Sequence, residues 1–123
     1  MEKWCFLDNK EESDYLFELV KVGVKTATSY LFIDNKQLLN ENPVSILTNW
    51  DKTEELKINT TKIYKCKFKE VSKEHAFKEG EGEKTLKYWK KIHKKFFIKE
   101  CERLNKKFSE DIEIVCEEFE ILK

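Results

Sequence analysis

Between Leu56 and Phe68 apolar and polar residues alternate with a period of two. Leu56, Ile58, Thr60, Tyr64, Cys66 and Phe68 hold one parity, and Lys57, Asn59, Thr61, Lys65 and Lys67 hold the other. Successive side chains of a strand point to opposite faces, so this pattern predicts a long strand buried on one face and wet on the other. Such a strand belongs to an antiparallel sheet rather than to the doubly covered centre of a parallel one. Lys62 and Ile63 fall out of phase and predict a bulge. A last strand is expected over Ile112 to Leu122, where Val115, Phe119 and Ile121 alternate with acids. Pro43 opens the short apolar stretch Val44-Ser45-Ile46-Leu47, and Asp34 to Asn42 reads as a loop.

Three helices are expected between these strands. Ser13 is placed to cap the first, with Tyr15, Leu16, Leu19 and Val20 at helical spacing and Gly23 as its left-handed end. Ser72 begins a short one that runs through Phe77 and closes near Gly80. Thr85 opens the longest, whose stripe is Leu86, Trp89, Ile92/His93, Phe96, Phe97, Cys101 and Leu104. Strands and helices are interspersed without a regular βαβ rhythm, which predicts an α+β fold: a mainly antiparallel sheet or small barrel with packed helices. At 123 residues the chain is expected to form a single domain over residues 1–123, with no repeat, coiled coil or linker.

Charged residues make up 39% of the chain, yet nine Phe, four Tyr and three Trp are too much aromatic surface for a disordered polyelectrolyte. No apolar run approaches the ~18 residues of a membrane span, and Met1-Glu2-Lys3-Trp4 lacks the features of a signal peptide. A cytoplasmic protein with no membrane partner is the expectation. The four cysteines, Cys5, Cys66, Cys101 and Cys116, are far apart and read as reduced, mostly buried thiols.

A formal net charge of zero hides two blocks. From Lys84 to Lys107 ten basic residues face only Glu100 and Glu102, a local net of +8. The last sixteen residues carry six acids against Lys123, a local net of −5. The basic block suits an anionic partner, although two solvated faces attracting one another would leave the same trace.

Two polar segments interrupt the local patterning: Gly23-Val24-Lys25-Thr26-Ala27-Thr28-Ser29 and Glu79-Gly80-Glu81-Gly82-Glu83. Neither has phosphate-loop or dinucleotide spacing, and the chain has no zinc set or Ser-His-Asp order. A turn after Gly23 can bring Lys25 and Thr28 to one side. Desolvation would then lower the lysine pKa so that it accepts the hydroxyl proton, or the charged amine would stabilise an anion. The bland alternative is a solvated lysine beside a capping threonine. Glu79, Glu81 and Glu83 could supply a general base or hold a hard cation such as Mg²⁺ or Mn²⁺, unless they form only an acidic loop. His75 and His93 are expected to be packing residues rather than ligands.

The first segment, then Glu74-His75-Ala76-Phe77-Lys78-Glu79-Gly80-Glu81-Gly82-Glu83-Lys84-Thr85-Leu86-Lys87-Tyr88-Trp89, His93 and Phe96-Phe97, resembles the ASCH family over nearly the whole chain. The resemblance implies a PUA-like β-barrel flanked by helices, with a cleft for RNA or a nucleoside. It further implies that Lys25, Thr28 and Glu79 match the functional Lys, Thr and Glu of those small members that deacetylate N4-acetylcytidine, while other members are ribonucleases. The chain departs from the family in lacking a Gly-Asp after Pro43, in Val24 where a basic residue is frequent, and in Glu83 where Asp is common. The small amidohydrolases lack its Glu-Gly-Glu-Gly insert.

The expected function is therefore RNA binding in a polar cleft framed by Lys25, Thr28 and Glu79, with Lys87, Lys90, Lys91, Lys94 and Lys95 guiding the phosphate backbone and Tyr88 or Trp89 available to stack. Ribonuclease action on single-stranded RNA, N4-acetylcytidine-type amidohydrolysis and non-catalytic binding all remain open. No cofactor is required, and Mn²⁺ or Mg²⁺ at Glu79, Glu81 and Glu83 is the metal expectation.

Overall fold

The computed structural model describes residues 1–7 and 9–123. Five strands form one sheet: β1 (Lys3–Trp4), β2 (Ala27–Leu31), β3 (Val44–Thr48), β4 (Glu55–Lys67) and β5 (Glu113–Ile121), in the order β1-β3-β4-β5-β2. β1 pairs with β3 in parallel and every other pairing is antiparallel. Three helices accompany it: α1 (Lys10–Lys21), α2 (Lys73–Glu79) and α3 (Leu86–Arg103). The mixed α+β class is as the sequence predicts, but the sheet is open where a closed barrel was expected. Closure would require β1 to meet β2. β1 spans only two residues, both of which pair with β3, and the Thr26 N–H next to β2 bonds instead to the Lys78 carbonyl of α2 at 2.7 Å.

The predicted bulge is present, with a register shift between Thr60 and Lys62, and it does structural work. Before it, Ile58 and Thr60 oppose Ile121 and Phe119. After it, Tyr64 and Cys66 oppose Cys116 and Ile114. Residues 119 and 121 of β5 point to the face opposite 114 and 116, so the even-numbered residues of β4 serve one face before the bulge and the other after it. Two cores result. Phe17 and Val20 of α1 pack on Leu47, Ile58 and Phe119, while Trp89, Phe97 and Cys101 of α3 pack with Phe68, Leu31, Ile114 and Cys116.

Ser72 and Thr85 cap α2 and α3 as expected, accepting from the His75 and Tyr88 amides. α1 starts earlier: Asn9 accepts from the Glu12 amide at 2.9 Å, and Ser13 sits one turn inside, fully buried. Its buried face is Ser13, Phe17 and Val20, whereas Tyr15 is exposed. β2 begins at Ala27, inside the segment read as a turn, and Ile33 is solvent-exposed. Within the loop after β2, Asp34 caps a 3-10 turn over Asn35–Leu38. All four cysteines are free thiols, Cys101 and Cys116 buried and Cys5 and Cys66 half-buried.

Gly80 couples α2 to the turn that precedes β2. It ends α2 at φ +71°, and a Cβ there would lie 2.5 Å from the Val24 carbonyl oxygen, whereas at Gly23, with φ +83°, a Cβ would meet nothing within 4 Å. Gly23→Ala should therefore cost only the left-handed penalty of about 1–2 kcal/mol. Gly80→Ala should cost clearly more, roughly 2–4 kcal/mol, because backbone must also shift. Urea unfolding of the two variants checks this, and equal losses would contradict the close approach.

Candidate functional site

Glu79, in the last turn of α2, is a carboxylate with 1% of its surface exposed. One oxygen, Oε2, accepts from the Ser29 hydroxyl at 2.8 Å and the Trp89 indole N–H at 2.7 Å, and lies 2.8 Å from His75 Nε2. The other, Oε1, lies 3.1 Å from Lys25 Nζ and 3.4 Å from His93 Nε2. Partners thus converge from the turn after α1, from β2, from α2 itself and from α3.

Lys25 is as deeply buried. Its ammonium donates to Glu79 Oε1 and Glu81 Oε2, each at 3.1 Å, and to the Glu79 backbone carbonyl at 3.4 Å, which uses all three of its hydrogens. The Phe6 ring lies 5.5 Å from Nζ. Burial by itself lowers the Lys25 pKa, but the attraction of Glu79 and then of Glu81, with hydrogen bonds to both, outweighs it and holds the group above its ordinary value. The lysine is a fixed cation and not the neutral base that desolvation alone predicts.

His93 is a second cation. Its Nδ1 lies 3.0 Å from the Trp89 carbonyl, and its Nε2 faces Glu79 at 3.4 Å and Glu81 at 3.9 Å. Every one of these partners is an acceptor, so both ring nitrogens are satisfied only in the imidazolium. Burial lowers the His93 pKa, yet the attraction of Glu79 and a hydrogen bond donated to it, helped by Glu81, leave it raised. The ring stacks on Trp89 with centroids 4.2 Å apart. For Glu79, burial would raise the pKa, but Lys25 and His93, with hydrogen bonds from both histidines, hold it well below the ordinary carboxyl range. Two carboxylates and two cations leave the network neutral. A carboxylate so placed, with both oxygens occupied, is poorly suited to act as a base.

A cavity of about 110 Å³ opens onto this network, walled by Phe6, Leu16, Ile92 and Phe96 and reaching Thr28 and Glu81. Lys25, Thr28 and Glu79 therefore share one site. Ser29 rather than Thr28 bonds Glu79, and among the described residues the Thr28 hydroxyl makes no hydrogen bond. Glu81 commits Oε2 to Lys25, while its other oxygen has no partner among the described residues. Ser29, His75, Trp89 and His93 escaped assignment from sequence, although Glu79 follows His75, and His93 follows Trp89, by one helical turn each.

Glu83 is exposed and stands outside the network. The ligand atoms of Glu79, Glu81 and His93 lie within 4.8 Å of one another, but the Lys25 ammonium already supplies the counter-charge of both carboxylates. The residues as placed fit an ammonium, not a divalent ion such as Mg²⁺ or Mn²⁺. Lys87, Lys91, Lys94 and Lys95 are exposed and Lys90 is half-buried, and among the described residues none of the five forms an ion pair. They occupy the solvent side of α3, around the helix from Ile92, His93 and Phe96 of the cleft. Trp89 is buried and cannot stack on a base, whereas Tyr88 is half-buried against Gly82.

Lys25→Met would leave Glu79 buried without its main counter-charge and should destabilise the fold by about 3–5 kcal/mol, with adding Glu79→Gln recovering part of the loss. Chemical unfolding of the single and double variants measures this, and an additive double variant would contradict the pairing. The pH dependence follows from the two shifts. Glu79's is downward, so its stabilisation is full above the ordinary value of 4.5 and is lost as pH falls through the lowered value. His93's is upward, so its stabilisation is full below 6.5 and is lost as pH rises through the raised value. The thermal stability deficit of His93→Gln should thus be largest near 6.5 and below, and should shrink as the pH becomes alkaline. A deficit independent of pH would contradict an imidazolium.

The ASCH domain profile matches residues 2–123. The crystal structure of an ASCH domain from Lactobacillus crispatus JV V101 is similar at 31% identity and a TM-score of 0.89, over 98% of this chain and 78% of that one. Protein EF3133 from Enterococcus faecalis V583 is similar at 31% identity and a TM-score of 0.87, over 99% of this chain and 76% of that one. Hypothetical protein PH0355 shares the fold at 22% identity and a TM-score of 0.63, over 99% of this chain and all of that one. Among curated proteins no significant match is found. Family profile, structures and the order of the Lys25 and Glu79 segments agree: the chain belongs to the ASCH domain family.

Proposed function

We propose that this ASCH domain binds single-stranded RNA, or a nucleoside derived from it, in the cytoplasm, with one base entering the cleft above Lys25 and Glu79. The observation that supports this is a buried network in which Lys25 and Glu79 commit every hydrogen and oxygen, beneath a small cleft walled by Phe6, Leu16, Ile92 and Phe96 and also lined by Glu12. A phosphate brought there would meet a Lys25 whose hydrogens are all engaged. A planar, uncharged ring would meet aromatic and aliphatic walls, the free oxygen of Glu81 and the hydroxyl of Thr28. The phosphates then remain outside, near the basic side of α3.

A hydrolytic reading is favoured second, because Thr28 lines the same cleft as Lys25 and Glu81. In an amidohydrolase the Thr28 hydroxyl would attack the acyl carbonyl, and its proton would pass to the free Glu81 oxygen and on to the amine as the C–N bond breaks. Water would then hydrolyse the Thr28 ester, with Lys25 acting on the oxyanion through its charge and not through a free hydrogen. In a ribonuclease the substrate's own 2′-hydroxyl would attack the phosphodiester, the P–O5′ bond would break to give a 2′,3′-cyclic phosphate and a 5′-hydroxyl that takes up the proton, and Thr28 would be dispensable. In both cases Glu79 holds Lys25 in place rather than taking the proton.

Purified protein incubated with a single-stranded RNA and with N4-acetylcytidine, with and without Mn²⁺, separates these outcomes when products are weighed by mass spectrometry. RNA bound and recovered intact, with Phe96→Leu weakening binding by about tenfold through loss of the ring face, is the expected result. Deacetylated cytidine that disappears with Thr28→Val would establish the amidohydrolase instead, and RNA cleavage that survives Thr28→Val the ribonuclease. Neither binding nor turnover would overturn the cleft assignment.

A further inference from the structure

On the α3 surface, four lysines recur every fourth residue: Lys87, Lys91, Lys95 and Lys99. All four are exposed, and among the described residues none is engaged in an ion pair. Residues four apart lie on one ridge, with a rise of about 6 Å between neighbours. Each step also turns the ridge by about 40°, so the row winds from the solvent side at Lys87 toward the flank carrying Ile92 and Phe96 at Lys99. Ile92 and Phe96 line the cleft. Lys90 and Lys94 belong to the next ridge, which continues into Ile98 and leads away from the cleft. The next position of the row, Arg103, is exposed but paired with Glu100 at 3.0 Å, which ends the run of unpaired cations.

Resting on the cleft reading above, we infer that the Lys87-Lys91-Lys95-Lys99 ridge is a phosphate track for an unstacked single strand of RNA whose base occupies the cleft, and that Lys90 and Lys94 lie outside it. The spacing carries the inference. A duplex strand presents one phosphate per ~3.4 Å of axis, and unstacking roughly doubles this, which brings the phosphates into step with lysines about 6 Å apart. A single narrow row beside a ring-sized cavity fits one strand better than a membrane, which asks for a broad basic face.

The test measures fluorescence anisotropy of a labelled single-stranded RNA decamer between about 50 and 300 mM KCl. Four phosphate contacts give an expected slope of log affinity against log salt near −2.8, and Lys91→Gln/Lys95→Gln/Lys99→Gln should reduce it to about −0.7. Lys90→Gln/Lys94→Gln should leave it unchanged. The substituted lysines are largely exposed, and circular dichroism confirms that each variant is folded. Equal loss of slope in both sets would overturn the track, as would tighter binding to phosphatidylserine vesicles than to RNA. If Phe96→Leu has no effect while the ridge variants do, the cleft reading fails and the track stands. If Phe96→Leu weakens binding and the two lysine sets behave alike, the reverse holds, and a protein that binds no RNA overturns both.

Discussion

A charged carboxylate with no access to water dominates this structure. Burying Glu79 alone would cost several kcal/mol, so the fold is viable only if its counter-charges and donors arrive together. They come from widely separated parts of the chain: Lys25 and Ser29 from the turn and edge strand after α1, His75 from α2, Trp89 and His93 from α3. Glu79 therefore staples β2 to α2 and α3. The same need explains Gly80, whose close contact with Val24 lets the end of α2 approach the Lys25 turn. It also explains Glu81, which balances the second cation that His93 contributes.

The chemistry available at the site follows from how completely this network is satisfied. Glu79 and Lys25, the most prominent pair in sequence, have every oxygen and hydrogen committed, which suits them to fix geometry and potential. Among the described residues the groups left free are Thr28 and one oxygen of Glu81, beside aromatic and aliphatic walls, and the buried Nδ1 of His75. On the proposed reading, the cleft and the basic helix ridge outside it would divide the work for a nucleic acid: a base would be held between the aromatic and aliphatic walls, and the phosphates where lysines are exposed and, among the described residues, unpaired. Hydrolysis would add a proton transfer between Thr28 and Glu81 without altering that division.

Much of this was legible in the amino-acid order, and what was not has physical reasons. The alternation from Leu56 to Phe68 gives β4, and its phase break at Lys62 locates the bulge to within a residue or two. Thr85 and Ser72 announce their helices because a hydroxyl before an amphipathic run has few other uses. Ser13 misled because Asn9, a better cap four residues earlier, precedes only charged residues and so carries no apolar signal. Barrel closure was not legible, since it depends on whether two edges meet, and β1 proved too short. The network was half legible: Lys25 and Glu79 stood out as charges among small residues, but His93 and Trp89 lie on an apolar stripe where packing alone accounts for them. The direction of Lys25's shift could not be read either, because it depends on two carboxylates more than fifty residues away.

The central claim, that a permanently ionised Glu79 organises the domain, can be tested on that carboxyl itself. Side-chain ¹³C chemical shifts of Glu79 followed through an acid titration should show it still ionised well below the ordinary carboxyl value of 4.5, changing only as the protein unfolds. A Glu79 signal that titrates near the ordinary value in the folded protein would contradict the account.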